Sequence, residues 1–434
     1  MVTDAQVLDS MRGIIDPDLG KDIVSLGFIK DLTIKSGDIA FTLELTTPAC
    51  PVKEQFVIDC EKAVGGVDGV TSVEVKLSSM QPKKQPNLAV TTLAKVDCVI
   101  AVSSCKGGVG KSTIAAQLAR SMQREGLRVG LLDTDIYGPS VPTLFNMHRP
   151  ELMMRDNMLI PIDLDGLKVM SVGFVLGDSP AVMRGPMVSG YCQQILNQTD
   201  WGEMDYLIID MPPGTGDIQL TLVQQAALDG AIIVTTPHSL SLVDVARGIL
   251  MFEKVDVPVL GIVENMSYFL CDNCDKRHHI FGNNSQALKD RFGLDTLGEF
   301  PIIDGISNLS SPDAGADIEP VRQLTENIHR AVGKRRARQE QLPVVSFQEG
   351  FIHVEWPDGE TDQIPNKKVR IACQCASCIE EYTGELLLDP SSVSDNIQAT
   401  GVEVLGNYAA SIAWDDGHSS GIFTWNRLRE IAAS

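Results

Sequence analysis

Apolar and polar positions alternate in three different ways along the chain. The opening stretch "MVTDAQVLDSMRGIIDPDLG" reads as an amphipathic helix and a turn. It is followed by the strand-like "FIKDLTIK", a Ser-Gly-Asp turn and the alternating "IAFTLEL", then a helix from near Pro51 and a last strand through "SVEVKL". A period of two marks half-buried strands, so residues 1–80 are expected to form a small α/β domain. "QPKKQPN", with two prolines and no apolar periodicity, predicts a linker over 81–95. From 96 to 333 the runs "CVIAVSS", "RVGLLD", "YLIID", "AIIVTT" and "VLGIVEN" are almost continuously apolar and are separated by helical stretches. That pattern predicts a doubly wound parallel sheet covered on both faces. "GKRRARQEQLP" (333–343) reads as a charged hinge, its basic cluster a solvated helix end. Residues 345–434 show short strands, Trp356, Trp414 and Trp425, and a dense cysteine cluster, and predict a small, mainly-β domain.

Composition narrows the partners. With 434 residues and 44% apolar content the chain can bury more than one core. Its formal charge of −21 repels nucleic acid and anionic lipid, so neither is expected as a partner. No apolar run approaches the ~20 residues that span a bilayer. The N-terminus has neither the apolar core of a signal peptide nor the basic, acid-poor make-up of a transit peptide, which predicts a cytoplasmic protein or a mature chain whose address has been removed. Short-spaced cysteines in such a setting point to metal or thiol chemistry rather than disulfides.

"SSCKGGVGKST" (103–113) follows an apolar strand and opens a helix, the context of a phosphate-binding loop. Backbone N–H groups of Gly107, Gly108, Val109, Gly110 and Lys111 and the helix N-terminus are expected to cradle phosphate oxygens. Lys111 would reach the β- and γ-phosphates of ATP, and the Ser112 hydroxyl, beside Thr113, would complete a Mg²⁺ shell. Position 105, where the pattern usually has glycine, is Cys105, which fits only if its φ is ordinary. Strand ends carry Asp133 and Asp135 in "LLDTDIYGPS", and Asp210 in "YLIIDMPPGTGD". The Pro-Pro-Gly after Asp210 is placed to feel the γ-phosphate.

The early Lys106 narrows the class. "KGGVGKS" resembles the deviant Walker A loop of dimeric ATPases that include nitrogenase iron protein, the Min and Par proteins and the Mrp-type iron–sulfur carriers. The resemblance implies a homodimer in which Lys106 reaches the partner's nucleotide, with Asp133 and Asp135 as switch I acids, Asp210 as the Walker B carboxylate and Asn265 in "VENMSYF" reading adenine. Cys271 and Cys274 follow in "CDNC". Alone, this C-x-x-C fits a redox pair, half a zinc site or chance. In a dimer, two copies supply the four thiolates of one [4Fe–4S] cluster. "DIYGPSVPT", "MRGPMVSG" (with Arg184), "DYLIIDMPPGTGDIQLTL" and "VENMSYF" together resemble the Mrp/ApbC family over most of 96–300. That implies ATP-dependent transfer of a cluster from the cysteine pair to apo iron–sulfur proteins. His278 and His279 are expected to be solvated. A Min/Par-like positioning ATPase and a non-catalytic adaptor with a slow ATP clamp are the competing readings.

The flanks add metal chemistry. "IIDPDLGKDIVSLGFIKDL" and "LTTPACPVKEQF" resemble the iron–sulfur assembly domain fused to Mrp-type ATPases. Cys50 there, before a helix N-terminus, is either a reactive thiol or a buried inert one. Cys60, Cys98 and Cys192 read as core. Cys373, Cys375 and Cys378 form C-x-C-x-x-C, and His418 lies in "WDDGH". Three thiolates and an imidazole suit closed tetrahedral Zn²⁺, with a second iron–sulfur site or chance spacing as alternatives. The segment resembles the small N-terminal domain of γ-butyrobetaine hydroxylases, which implies zinc and no hydroxylase activity. The three segments together most resemble the high-chlorophyll-fluorescence scaffolds of chloroplasts and their bacterial relatives, which makes the plastid stroma the alternative location.

Overall fold

The computed structural model describes residues 2–47, 52–79, 91–136, 138–147, 150–176, 185–237, 241–255, 257–271, 273–274, 276–282, 292–303, 306, 309, 318–340, 342–348, 350–357, 359–375, 377–379, 387–405 and 409–433. Cys50 and Arg184 lie outside them.

In the first segment, helix α1 (Asp4–Met11) starts at Thr3, whose hydroxyl accepts from the Gln6 N–H while the Gln6 side chain accepts from the Thr3 N–H. This reciprocal cap fixes the helix start. Strands β1 (Ile29–Lys35), β2 (Asp38–Leu45) and β3 (Ser72–Ser79) form a sheet, β2 antiparallel to β1 and parallel to β3, with helix α2 (Lys53–Gly65) between β2 and β3 in sequence. Central β2 keeps the strict alternation, burying Ile39, Phe41, Leu43 and Leu45 against Val7, Met11, Phe56 and Cys60.

The middle segment supplies β4 (Val96–Ser103), α3 (Lys111–Arg124), β5 (Val129–Asp133), α4 (Val141–Leu144), β6 (Met154–Arg155), β7 (Met158–Leu159), β8 (Ile162–Leu164), β9 (Leu167–Ser171), α5 (Val172–Leu176) and α6 (Gly185–Gln198). It continues with β10 (Met204–Asp210), α7 (Asp217–Ala226), β11 (Gly230–Thr235), α8 (Ser241–Lys254), β12 (Val259–Leu270), β13 (Arg277–His278), β14 (Thr296–Pro301) and α9 (Glu319–Glu340). The sheet order is β13-β12-β11-β4-β10-β5-β9-β8, with β14 also on β12. All pairings from β9 across to β14 are parallel, and β8 and β13 add antiparallel edges. Successive residues of each strand face opposite cores, which is why the runs are apolar throughout. Val99, Ala101 and Ile209 meet Cys192, Leu222 and Phe252 on one face, while Ile100, Val102 and Ile208 meet Ile114, Leu118 and Leu324 on the other. The doubly wound parallel sheet expected from the sequence is therefore present. Burial pushes the Cys60 and Cys192 thiols up to about 12, so both are inert core groups.

Two boundaries differ from expectation. Residues 91–93 are not linker: they form a 3₁₀ turn in which Leu93 is buried and the Thr92 hydroxyl donates to Leu196 O at 3.0 Å. The stretch read as a charged hinge is helical as far as it continues α9, to Glu340, with Arg336 buried, and the division of the chain falls inside it. Straight-chain charged residues are good helix formers, so a run of them need not mark a break. By packing, the chain divides at Lys334/Arg335.

The last unit contains two three-stranded antiparallel sheets, β15 (Val344–Gln348), β16 (Phe351–Glu355), β17 (Thr361–Pro365) and β18 (Ala399–Leu405), β19 (Ala409–Trp414), β20 (Gly421–Thr424). Helices α10 (Asn366–Ile371) and α11 (Trp425–Ala433) complete it, and its core includes Trp356, Trp414, Phe423 and two cysteines, Cys373 and Cys378.

Candidate nucleotide, thiol and metal sites

Parallel strands deliver their carboxyl ends to one edge of the sheet, and the expected nucleotide residues collect there. In the β4–α3 loop, Gly108 and Gly110 adopt φ of +78° and +84°. Those are the positions that demand glycine, and Cys105 is not among the positive-φ residues. Cys105 instead fills space opened elsewhere: a Cβ added at Gly248 on α8 would lie 2.6 Å from its Sγ. The cysteine and that glycine are complementary.

Register sets Asp210 beside Asp133 across β10 and β5, and both are fully buried. The Lys111 ammonium, itself buried, bonds Asp210 Oδ1, lies 4.0 Å from Asp135 Oδ2 and donates to Ser112 Oγ at 3.3 Å. Burial, reinforced by the neighbouring Asp210 charge, pushes the Asp133 carboxyl up to about 7. Burial likewise raises Asp210, against the pull of Lys111. The three acids are not equivalent. Asp133 accepts from the Asp135 N–H (3.0 Å), the Val141 N–H (3.3 Å) and the Ser171 hydroxyl (2.9 Å), so its oxygens are engaged in holding the β5–α4 loop. Asp135 Oδ1 and Asp210 Oδ2 are buried without a hydrogen-bond partner among the described residues. Two orphaned carboxylate oxygens beside a serine hydroxyl fit a hard, oxygen-seeking divalent cation. The geometry thus separates a positioning acid, Asp133, from two acids with free ligand capacity.

Asn265, expected at the base, reaches the loop: its Nδ2 donates to Val109 O at 2.9 Å, and a Cβ at Gly110 would collide with it. Lys106 is exposed. A cleft of about 370 Å³ runs from Lys106 and Val109 past Thr235 to Met266 and Phe281.

The C-x-x-C pair sits at the tip of a hairpin. The end of β12 pairs with β13 through Phe269↔His278 and Leu270↔Arg277, the Cys271 N–H donates to Lys276 O (3.1 Å), and the Cys274 N–H donates to Cys271 O (3.3 Å). Neither cysteine is in a disulfide; Cys271 is half-buried and Cys274 exposed. His278 and His279 are both exposed as expected, and His279 Nδ1 lies 3.2 Å from Ser267 O. Phe269, Leu270, Ile280, Phe281, Ile302 and Ile303 each expose 36% or more of their surface, and the Ile302 N–H bonds Tyr268 O. Exposed apolar side chains therefore occur on both arms of the hairpin and on the segment bonded to its base.

In the last unit, Cys373, Cys375 and Cys378 follow α10, and His418 comes from the β19–β20 turn. Their ligand atoms lie within 4.8 Å of one another, with His418 Nε2 at 3.3, 3.5 and 3.8 Å from the three sulfurs. Ligands about 2.0–2.3 Å from a tetrahedral ion are separated by such distances, so the residues fit a four-coordinate metal. Burial, followed by the Arg370 charge, lowers the His418 pKa, which keeps the imidazole neutral for ligation. Burial pushes Cys373 up to about 12; at Cys375 burial is outweighed by hydrogen bonds from Ser420, the Ser377 N–H and the neighbouring thiols, bringing it to about 7. Arg370, buried, donates from Nη1 to Cys378 Sγ (3.4 Å) and from Nε to Asp416 Oδ2 (2.8 Å), while Asp416 Oδ1 accepts from the His418 N–H (3.0 Å). Sequence reasoning missed Arg370; its only signal is that it is the last of three basic residues, with Lys367 and Lys368, shortly before the first cysteine.

Comparison with known proteins accounts for all three segments. The profile described as "NUBPL iron-transfer P-loop NTPase" matches residues 95–333. The chain belongs to this family. Profiles for "Iron-sulfur cluster assembly protein" and "Gamma-butyrobetaine hydroxylase-like, N-terminal" match residues 4–76 and 344–429. The chain is 42% identical to the "Fe-S cluster assembly factor HCF101, chloroplastic" of Arabidopsis thaliana, over 99% of this chain and 83% of that one. It is 44% identical to the "Iron-sulfur cluster carrier protein" of a Synechocystis strain, over 70% and 89%. Among solved structures, a nucleotide-binding protein from Archaeoglobus fulgidus in complex with ADP is 40% identical, with a TM-score of 0.47 over 53% of this chain and 91% of that one. No helix among the described residues is long and apolar enough to cross a membrane.

Proposed function

We propose that the chain is an ATP-hydrolysing carrier that receives a [4Fe–4S] cluster as cargo and passes it to apo iron–sulfur proteins. The observation that carries this reading is the C-x-x-C pair, Cys271 half-buried and Cys274 exposed, at the end of the strand whose inner part meets the phosphate loop. Two thiolates are half a cluster's ligand set, so two copies meet at their cysteine hairpins and Cys271 and Cys274 of each hold the cargo. Gly107 to Thr113 bind the phosphates of ATP, Lys111 leaves its carboxylate for the β- and γ-phosphates, and Asn265 offers its carbonyl to adenine. Mg²⁺ is held by Ser112, Asp135 and Asp210, where it balances phosphate charge. Lys106 of each copy stabilises the charge that builds on the other copy's nucleotide during hydrolysis. Asp133 fixes the loop that carries Asp135. Zn²⁺ occupies Cys373, Cys375, Cys378 and His418 as a closed staple. The acidic chain works in the cytoplasm or, as a mature form, in the plastid stroma.

Anaerobic reconstitution of Cys271→Ser/Cys274→Ser protein tests this. The variant should lose the visible absorption and the iron and sulfide of wild type while keeping ADP binding; full cluster stoichiometry in the variant sinks the reading.

A further inference from the structure

Five residues of one strand, 266–270, separate Asn265, which grips the phosphate loop, from Cys271. In an extended chain that is a span of roughly 17–20 Å. The segment is not a uniform strand. Met266 has φ of +54°, and the pairing of β12 with β14 slips between Glu264 and Tyr268. A residue with a long side chain stays in the left-handed region only where its surroundings hold it there.

Those surroundings belong to both sites. Met266 lines the same cleft as Cys105, Lys106 and Val109 of the phosphate loop, and Phe281, seven residues beyond Cys274, lines it too. Beyond Met266 the two arms of the hairpin are tied together. They are joined by the pairs Phe269↔His278 and Leu270↔Arg277, by the contact between His279 Nδ1 and Ser267 O, and by the Arg277 guanidinium 4.6 Å over the Tyr268 ring. On the near side Asn265 is bonded to the loop. A stiff hairpin, a stiff loop and one kinked residue between them make a pivot.

We infer that Met266, braced by Phe281 in the cleft, is the positioning residue through which occupation of the phosphate loop sets the orientation of the cysteine hairpin. The inference rests on the carrier reading above and adds to it the route by which nucleotide and cargo sense each other. Phosphate drawn into the loop shifts the cleft wall at Cys105–Val109; Met266 and Phe281 follow that wall, and the hairpin turns about residue 266. Such coupling is reciprocal: if nucleotide alters how the thiols hold cargo, cargo alters nucleotide affinity by the same factor.

The test measures MgADP affinity of the full chain, apo and anaerobically reconstituted with iron and sulfide, for wild type, Met266→Gly and Phe281→Ala. Glycine accepts the left-handed conformation without needing the brace, and Phe281 is half exposed, so both variants should fold. In wild type, cluster loading should change MgADP affinity roughly tenfold relative to the same protein's apo value, and in each variant by less than about twofold relative to its own apo value, with cluster stoichiometry retained. An undiminished ratio in both variants, or a wild-type ratio of one on fully loaded protein, overturns the pivot and leaves the carrier reading standing. Wild type that takes up no cluster sinks the carrier reading itself, and the pivot with it.

Discussion

Gly248 and Cys105 compete for one volume, and the competition can be measured. A methyl group at 248 would sit 2.6 Å from Cys105 Sγ, with Ile233 Cδ1 at an ordinary 3.7 Å. Good apolar contacts lie near 3.5–4.0 Å, so the overlap is about 1 Å. Overpacking of that size costs about 1–3 kcal/mol. Replacing glycine by alanine inside a helix returns about 0.5–1 kcal/mol. Gly248→Ala should therefore destabilise the wild-type background by about 0–2.5 kcal/mol. In a Cys105→Gly background, which restores the usual loop residue, the clash vanishes and the same change should stabilise by about 0.5–1 kcal/mol. The coupling between the positions is then about 1–3 kcal/mol. Urea titration of the four proteins measures it, and ADP affinity shows whether the loop was displaced. For a unit of this size each kcal/mol moves the melting midpoint by about 2–4 °C. A Gly248→Ala effect equal in the two backgrounds within about 0.5 kcal/mol would show that the contact between sulfur and α8 is not what holds Cys105 in place.

Other expectations are shorter to state. Asp210→Asn keeps a hydrogen-bond acceptor for Lys111 but loses the charge proposed to hold Mg²⁺, so steady-state ATP turnover should fall about 100-fold or more while Mg²⁺-free nucleotide binding persists. Burial raises the Glu264 carboxyl above its usual 4.5, assisted by Glu299 and opposed by the Ser267 hydrogen bond. The folded state thus holds this proton more tightly than the unfolded chain, and wild type loses stability as pH rises from 4.5 through the folded value. Glu264→Gln should raise the urea midpoint at about pH 7–8 and give no gain at about pH 4. Stripping metal with a chelator should melt residues 335–434 while ADP binding survives; an unchanged melting profile after complete metal removal counts against the Cys₃His site. Three thiolates and a divalent ion carry one net negative charge, which Arg370 offsets, so Arg370→Met should weaken Zn²⁺ or Co²⁺ affinity about 10–100-fold in a competition titration.

What can be read in the sequence is whatever is local. The phosphate loop, the C-x-x-C pair and the Cys₃His spacing are short patterns whose chemistry needs those residues at those intervals, and buried parallel strands announce themselves as apolar runs. What depends on distant partners is not legible. Asp133 groups with the switch acids because it ends a strand; that its oxygens are taken by Ser171 and the Val141 N–H emerges only when β9 lies beside β5. Cys105 looks anomalous because the glycine that accommodates it sits on α8. Charge alone suggests a hinge at 333–343, yet those residues suit a helix and bury Arg336. Residues 91–93 read as linker because the turn that docks Thr92 on Leu196 has no periodic signature.

The exposed apolar side chains on the hairpin that carries Cys271 and Cys274 have a consequence for how the protein behaves when diluted. A lone copy leaves greasy side chains and sulfur open to water and oxygen together. In the proposed dimer a second hairpin seated on the first would shield both at once, so that capture of cargo and protection from air would become a single concentration-dependent event.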